Sequence, residues 1–133
     1  MRVDEPVYTR MVIEHYRRPR NRGRLTDPDR AARVRSRACG DELRATLALD
    51  GDRIAQVRFE GDGCAISQAA ASIASDRYPG MLIEDVLALG ESWAVDILGG
   101  EVTPRRRTCA TLNLVAVQKA LRDSAGAGLR PVG

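Results

Sequence analysis

The hydrophobic period of this chain changes once, just after Phe59, and that change limits the folds open to it. From Leu43 to Leu49, and again from Ile54 to Phe59, apolar and polar residues alternate, the period of a half-buried strand. Asp50-Gly51-Asp52 between the two runs is a turn of the kind a hairpin uses. Val34, flanked by Arg33 and Arg35, opens an earlier strand. After Phe59 the alternation stops. Residues 65–77 are alanine-rich with small side chains all round, a helix suited to close packing. The alternation places Leu43, Ala45, Leu47 and Leu49 on one face of the sheet, and helices must cover that face.

The remaining elements follow from periodicity and from breakers. Residues 5–18 read as an amphipathic helix with Tyr8, Met11, Val12, His15 and Tyr16 at helical spacing, ended by Pro19. Residues 19–30 form a polar, breaker-rich connection. Two short helices over 82–89 and 91–98 are split by Gly90, and Gly99-Gly100 stops the second. Thr103-Pro104 starts a last helix that runs to about Arg122, with Thr as cap and Pro in the first turn. We expect one domain over residues 1–123 and a mobile tail over 124–133. Aromatics make up only 4% of the chain, so its core is drawn mostly from Leu, Ile, Val and Ala. The net charge of +3 is too mild for a nucleic-acid binder, and no aromatic residues interleave the arginines. No run approaches the roughly 18–20 apolar residues of a membrane span. With no apolar signal core at the N-terminus, the expected compartment is the cytoplasm.

Three cysteines stand in short motifs: Ala38-Cys39-Gly40-Asp41, Gly61-Asp62-Gly63-Cys64-Ala65-Ile66-Ser67 and Thr108-Cys109-Ala110-Thr111-Leu112. An odd count argues against a disulfide framework and toward metal or redox chemistry. All three fall at element boundaries: Cys39 at the end of the first strand, Cys64 where a strand gives way to a helix, Cys109 in the early turns of the last helix. Helix starts near Cys64 and Cys109 favour thiolate over thiol, and Arg105, Arg106 and Arg107 add to this near Cys109. The competing reading is that a free cysteine only fills space in a core. His15, the single histidine, lies on the apolar stripe of the first helix and reads as a packing residue. A fourth metal ligand is then an Asp or Glu, and Asp41, two residues after Cys39, is the natural choice. Its alternative role is that of a turn or capping residue. Arg105–Arg107 also read as a solvated helix start, and Trp93 as core.

These motifs resemble those of the IscU/NifU/SufU family of iron–sulfur cluster assembly proteins, over about residues 7–122. The Tyr8…His15-Tyr16-Arg17-Arg18-Pro19-Arg20-Asn21-Arg22-Gly23 segment is similar to the family's opening. Cys39-Gly40-Asp41, Phe59-Glu60-Gly61-Asp62-Gly63-Cys64-Ala65-Ile66-Ser67 and Cys109-Ala110-Thr111-Leu112 are similar to its three ligand motifs in order. The resemblance implies an α+β fold, a small three-stranded antiparallel sheet with helices packed on one face. It also implies that Cys39, Asp41, Cys64 and Cys109 converge near an exposed edge as ligands to zinc or iron. Thr108 stands where the IscU type has a histidine, and Pro104-Arg105-Arg106-Arg107-Thr108-Cys109-Ala110-Thr111-Leu112 resembles the SufU type, with Arg106 at the SufU arginine. The SufU type usually carries an insertion between its second and third cysteines. Only 44 residues separate Cys64 from Cys109 here, a length closer to the IscU type.

Two mechanisms follow from the resemblance. In a sulfur relay, zinc holds the four ligands, a SufS/IscS-like cysteine desulfurase docks, and Cys39 accepts persulfide sulfur. In a scaffold, the same residues bind iron, Cys109 is the favoured acceptor, and a transient [2Fe–2S] cluster passes to apoproteins or carriers. Either way the protein is a scaffold or sulfur carrier more than a classical enzyme. In both, Arg106 beside the ligands offsets their excess negative charge. A zinc-stabilised structural or adaptor domain is the alternative. It predicts that metal removal unfolds the chain and that no desulfurase is stimulated. A thiol-redox protein predicts a reversible intramolecular disulfide.

Overall fold

The computed structural model describes residues 8–37 and 40–123. Helix α1 (Arg10–Arg17) leads to strands β1 (Arg30–Arg35), β2 (Glu42–Asp50) and β3 (Arg53–Glu60). Helices α2 (Ala65–Ser75), α3 (Ile83–Ala88), α4 (Glu91–Asp96) and α5 (Pro104–Asp123) follow. The sheet is antiparallel throughout, in the order β1-β2-β3. The expected α+β class with a three-stranded sheet is therefore what the chain forms.

Register explains which face is buried. Ala32, Ala45 and Phe59 lie in one row across the sheet, and Leu47 stands beside Val57. Leu43, Ala45, Leu47, Val57 and Phe59 are all buried. Helices α2 and α5 pack over them, and the small residues of α2 allow a close approach, with Ala69, Ala70 and Ala74 wholly covered. Leu49, expected on the same face, is only half-buried because the β2–β3 register shifts between Ala48 and Leu49. Residues 21–29 strap the opposite face. Phe59 N–H donates to the Asn21 carbonyl (3.1 Å), and Gly23 N–H donates to the Phe59 carbonyl (2.8 Å). Leu25 N–H then donates to Thr46 Oγ1 (3.0 Å) in mid-sheet, and Asp29 N–H to the Leu47 carbonyl (2.8 Å).

Two sequence expectations need correction. Strand β1 does not open at Val34 but at Arg30, paired with Leu47, and it ends at Arg35, four residues short of Cys39. Ala31 and Ala32 carry no alternation, so this strand is dictated by its partner rather than by its own pattern. Helix α1 starts at Arg10 because Thr9 caps it, its Oγ1 accepting from Val12 N–H at 3.2 Å. Tyr8 is buried but precedes the helix, and residues 5–7 lie outside the described residues. Helices α2, α3, α4 and α5 start within a residue of expectation. The tail over 124–133 lies outside the described residues. Among the described residues no helix is long and apolar enough to cross a membrane.

Candidate metal centre

Three elements deliver the donors. Asp41 immediately precedes β2, Cys64 is the N-cap of α2, and Cys109 lies in the second turn of α5. One donor atom from each, two sulfurs and a carboxylate oxygen, lie within 4.8 Å of one another. Asp41 and Cys109 are buried and Cys64 is half-buried. Tetrahedral zinc with thiolate bonds of about 2.3 Å would hold its ligand atoms about 3.8 Å apart, so a small inward adjustment suffices. The donor chemistry, soft thiols with one hard carboxylate, fits zinc or ferrous iron.

The local chain makes this convergence possible. Gly61 has φ +140°, and a Cβ there would stand 2.2 Å from the Glu42 carbonyl oxygen. Glycine alone lets the chain leave β3 this close to β2, where Glu42 N–H donates to the Asp62 carbonyl (2.8 Å). That bond holds the Cys64 loop beside Asp41. On the other side, Ser36 N–H donates to the Asp41 carbonyl (2.8 Å), and Gly40 N–H to the Ser36 carbonyl (2.7 Å). Cys39, expected to be the first ligand, lies outside the described residues.

Cys64 is the activated thiol of the pair. Its Sγ accepts from Ser67 N–H at 3.5 Å, in the role an oxygen plays at most helix N-caps. A hydrogen bond from the Cys109 thiol is the largest influence, and the Ser67 N–H adds to it. Burial and the Asp41 charge oppose them, and the balance brings the thiol down to about 6. At neutral pH Cys64 is then largely a thiolate, the form that binds metal and attacks sulfur.

Arg106 sits three residues before Cys109 in the first turn of α5. It is half-buried, with its Nε enclosed, while Arg105 and Arg107 are exposed. Arg107 pairs with Glu91 at 3.1 Å, the surface role expected of a helix start. His15 takes no part among these donors. Its Nδ1 meets Ser72 Oγ at 2.7 Å on the α1–α2 interface, in keeping with a packing role. Trp93 is half-buried against Tyr78, ring centroids 5.3 Å apart. Sequence reasoning missed Ser67, which donates to Asp41 Oδ2 at 2.7 Å. The signal available was its place three residues after Cys64, the cap-to-N3 spacing of a helix start.

The description "NifU-like N terminal domain" fits a family model that matches residues 7–127. The chain belongs to this family. Among relatives, this NifU-like domain is 31% identical over 139 aligned positions to the zinc-dependent sulfurtransferase SufU of Bacillus subtilis, covering 92% of this chain and 94% of the relative. It is 29% identical over 117 positions to the iron–sulfur cluster assembly scaffold protein IscU 1 of Archaeoglobus fulgidus, covering 88% of this chain and 76% of the relative. The first alignment is longer than the 133 residues of this chain, so the SufU relative carries residues that are lacking here. The fold matches that of an iron–sulfur cluster assembly scaffold protein for the SUF system from Fervidobacterium islandicum. The TM-score is 0.73 at 22% identity, over 86% of this chain and 96% of the other.

Proposed function

We propose that this NifU-like domain accepts persulfide sulfur from a cysteine desulfurase and assembles or relays it toward nascent iron–sulfur clusters. Cys39, Asp41, Cys64 and Cys109 form the site. The observation that carries this reading is the meeting of Asp41, Cys64 and Cys109 donors from three separate elements within 4.8 Å. Cys39 is two peptide units from Asp41, a reach of no more than about 7 Å, and supplies the fourth ligand. The names of the relatives, a zinc-dependent sulfurtransferase and a cluster scaffold, support both halves of the reading. Zinc or iron at this site supplies positive charge that keeps the cysteines ionised. Three thiolates and a carboxylate exceed a divalent charge by two, and Arg106 offsets part of the excess.

Sulfur transfer needs no oxidant. A cysteine thiolate of this chain attacks the outer sulfur of the desulfurase persulfide. The sulfur–sulfur bond breaks, its electron pair leaves with the desulfurase thiolate, and the transferred sulfur remains as a new persulfide. Reach decides which thiol goes first. Cys109 is only 3% exposed, which counts against it as the point of entry, and the likeness to SufU favours Cys39. The carboxylate, the hard ligand among soft ones, is the donor most easily given up when a thiol leaves or cargo enters. The partners are the desulfurase and, downstream, apoproteins or cluster carriers.

The relay and scaffold forms separate in one experiment. Metal-free protein is incubated anaerobically with a cysteine desulfurase, cysteine, ferrous iron and a dithiol reductant that brings persulfide sulfur to sulfide, desalted, and its visible absorption recorded. A cluster spectrum that vanishes in Cys64→Ser supports the scaffold form. No chromophore, with desulfurase turnover raised only by the zinc-loaded protein, supports the relay. Neither a chromophore nor any rise in turnover overturns the proposal.

A further inference from the structure

Ser67 is completely buried and lies among the donors. It serves two candidate ligands at once. Its backbone N–H is directed at Cys64 Sγ (3.5 Å), and its hydroxyl donates to Asp41 Oδ2 (2.7 Å). The Cys64 carbonyl at 3.2 Å and Cys64 Sγ at 3.6 Å compete for the same hydroxyl. A serine has one hydroxyl hydrogen. The contact to the carboxylate is the shortest and is charge-assisted, so it takes that hydrogen. The space for the contact exists because residue 63 is glycine. A Cβ there would stand 2.4 Å from Ser67 Oγ and 3.4 Å from Asp41 Cγ.

We propose that Ser67 is a positioning residue for the metal centre: its hydroxyl fixes one oxygen of Asp41 and so sets the orientation of the carboxylate toward the metal. This rests on reading Asp41, Cys64 and Cys109 as ligands. The physical reason is preorganisation. A carboxylate free to turn about its side-chain torsions must be ordered when the metal binds, and one already anchored need not be. Gly63 belongs to the same device, because any side chain there would push the hydroxyl off Asp41.

The test is zinc affinity of the full-length chain, read by competition with a chromophoric chelator, together with the d–d absorption of the cobalt(II)-substituted protein. Ser67→Ala is expected to bind zinc about 10–100-fold more weakly and to shift the cobalt bands. Gly63→Ala, which keeps the hydroxyl but displaces it, should move both readouts in the same direction. On an Asp41→Ala background, Ser67→Ala should add nothing, because its effect passes through Asp41. If Asp41→Ala weakens binding while Ser67→Ala matches the wild type, the positioning role is wrong and the ligand set stands. Equal losses from Ser67→Ala with and without Asp41 also overturn it, since the effect would then be a general one. If Asp41→Ala binds zinc as the wild type does, the ligand reading fails and this inference fails with it.

Discussion

A cysteine is an unusual helix cap, and at Cys64 the choice has a chemical consequence. The bonds that start α2 also stabilise a negative sulfur. In metal-free protein, alkylation of Cys64 by iodoacetamide should rise with pH through a midpoint of about 6, followed by peptide mass spectrometry. Replacing Cys109 with Ala removes the largest stabilising contact and should move that midpoint upward. His15 gives a second pH-dependent prediction. Ser72 Oγ accepts from Arg20 N–H (2.7 Å) and meets His15 Nδ1 at the same distance, which holds the ring on the α1–α2 interface. Burial is the main cause that lowers its pKa below 6.5. A His that protonates more readily unfolded than folded adds stability above about 6.5, and this is lost as pH falls below that value. The urea midpoint of the wild type should therefore drop more between pH 7.5 and 5 than that of His15→Gln. At this scale the sequence was a guide to placement: the meeting of Asp41 with Cys64 and Cys109, and the place of His15 on a helix interface, were both readable. Ser67 was overlooked despite its spacing from Cys64, because one serine in a run of small residues looks like helix filler until Asp41 is known to lie against it.

At the scale of elements, legibility followed local pattern. Strands β2 and β3 carry strong alternation and were found nearly to the residue. Strand β1, Arg-Ala-Ala-Arg-Val-Arg, owes its existence to pairing with β2, and no local period announces where it begins. The start of α1 was misplaced for a related reason: apolar spacing continued back to Tyr8, but the Thr9 cap ends the helix there. Gly61 shows an element boundary with a single permitted residue. Gly61→Ala meets both a left-handed backbone angle and the Glu42 carbonyl. It should destabilise the fold by about 3 kcal/mol or more in chemical denaturation and weaken zinc binding as the Cys64 loop moves away from Asp41.

For the molecule as a whole, the elements that carry Cys64 and Cys109 are pinned together one helical turn beyond Cys109. Tyr78, just beyond α2, is fully buried and donates its hydroxyl to Asn113 Oδ1 on α5 at 2.7 Å, and Asn113 Nδ2 donates to the Ala110 carbonyl (3.0 Å). Burial holds the Tyr78 phenol well above its ordinary range, so it remains a donor at any working pH. Tyr78→Phe leaves the Asn113 oxygen buried without its donor and should cost about 1–3 kcal/mol of unfolding free energy, measured by urea denaturation. Order of elements, the covered sheet face and the meeting of motifs were legible because each motif marks a boundary. The strap over 21–29 was not, since its bonds are made mainly by backbone groups of polar residues that carry no pattern.

That strap bears on how the protein behaves in a crowd of its own copies. A three-stranded sheet has two outer edges, and an open edge is a template for another strand. Along β3, Asn21 and Gly23 occupy Phe59, while the Met81 carbonyl and Gly80 N–H take up Ile54: Ile54 N–H donates to the Met81 carbonyl (2.9 Å) and Gly80 N–H to the Ile54 carbonyl (2.8 Å). Among the described residues β1 is the edge left over, and it presents Arg30, Arg33 and Arg35, the last two sharing Glu42, with Lys119, the single lysine of the chain, donating to the Arg33 carbonyl at 3.3 Å. An identical strand approaching that side meets its own charge, so the sheet is closed to self-extension by backbone on one flank and by electrostatic repulsion on the other.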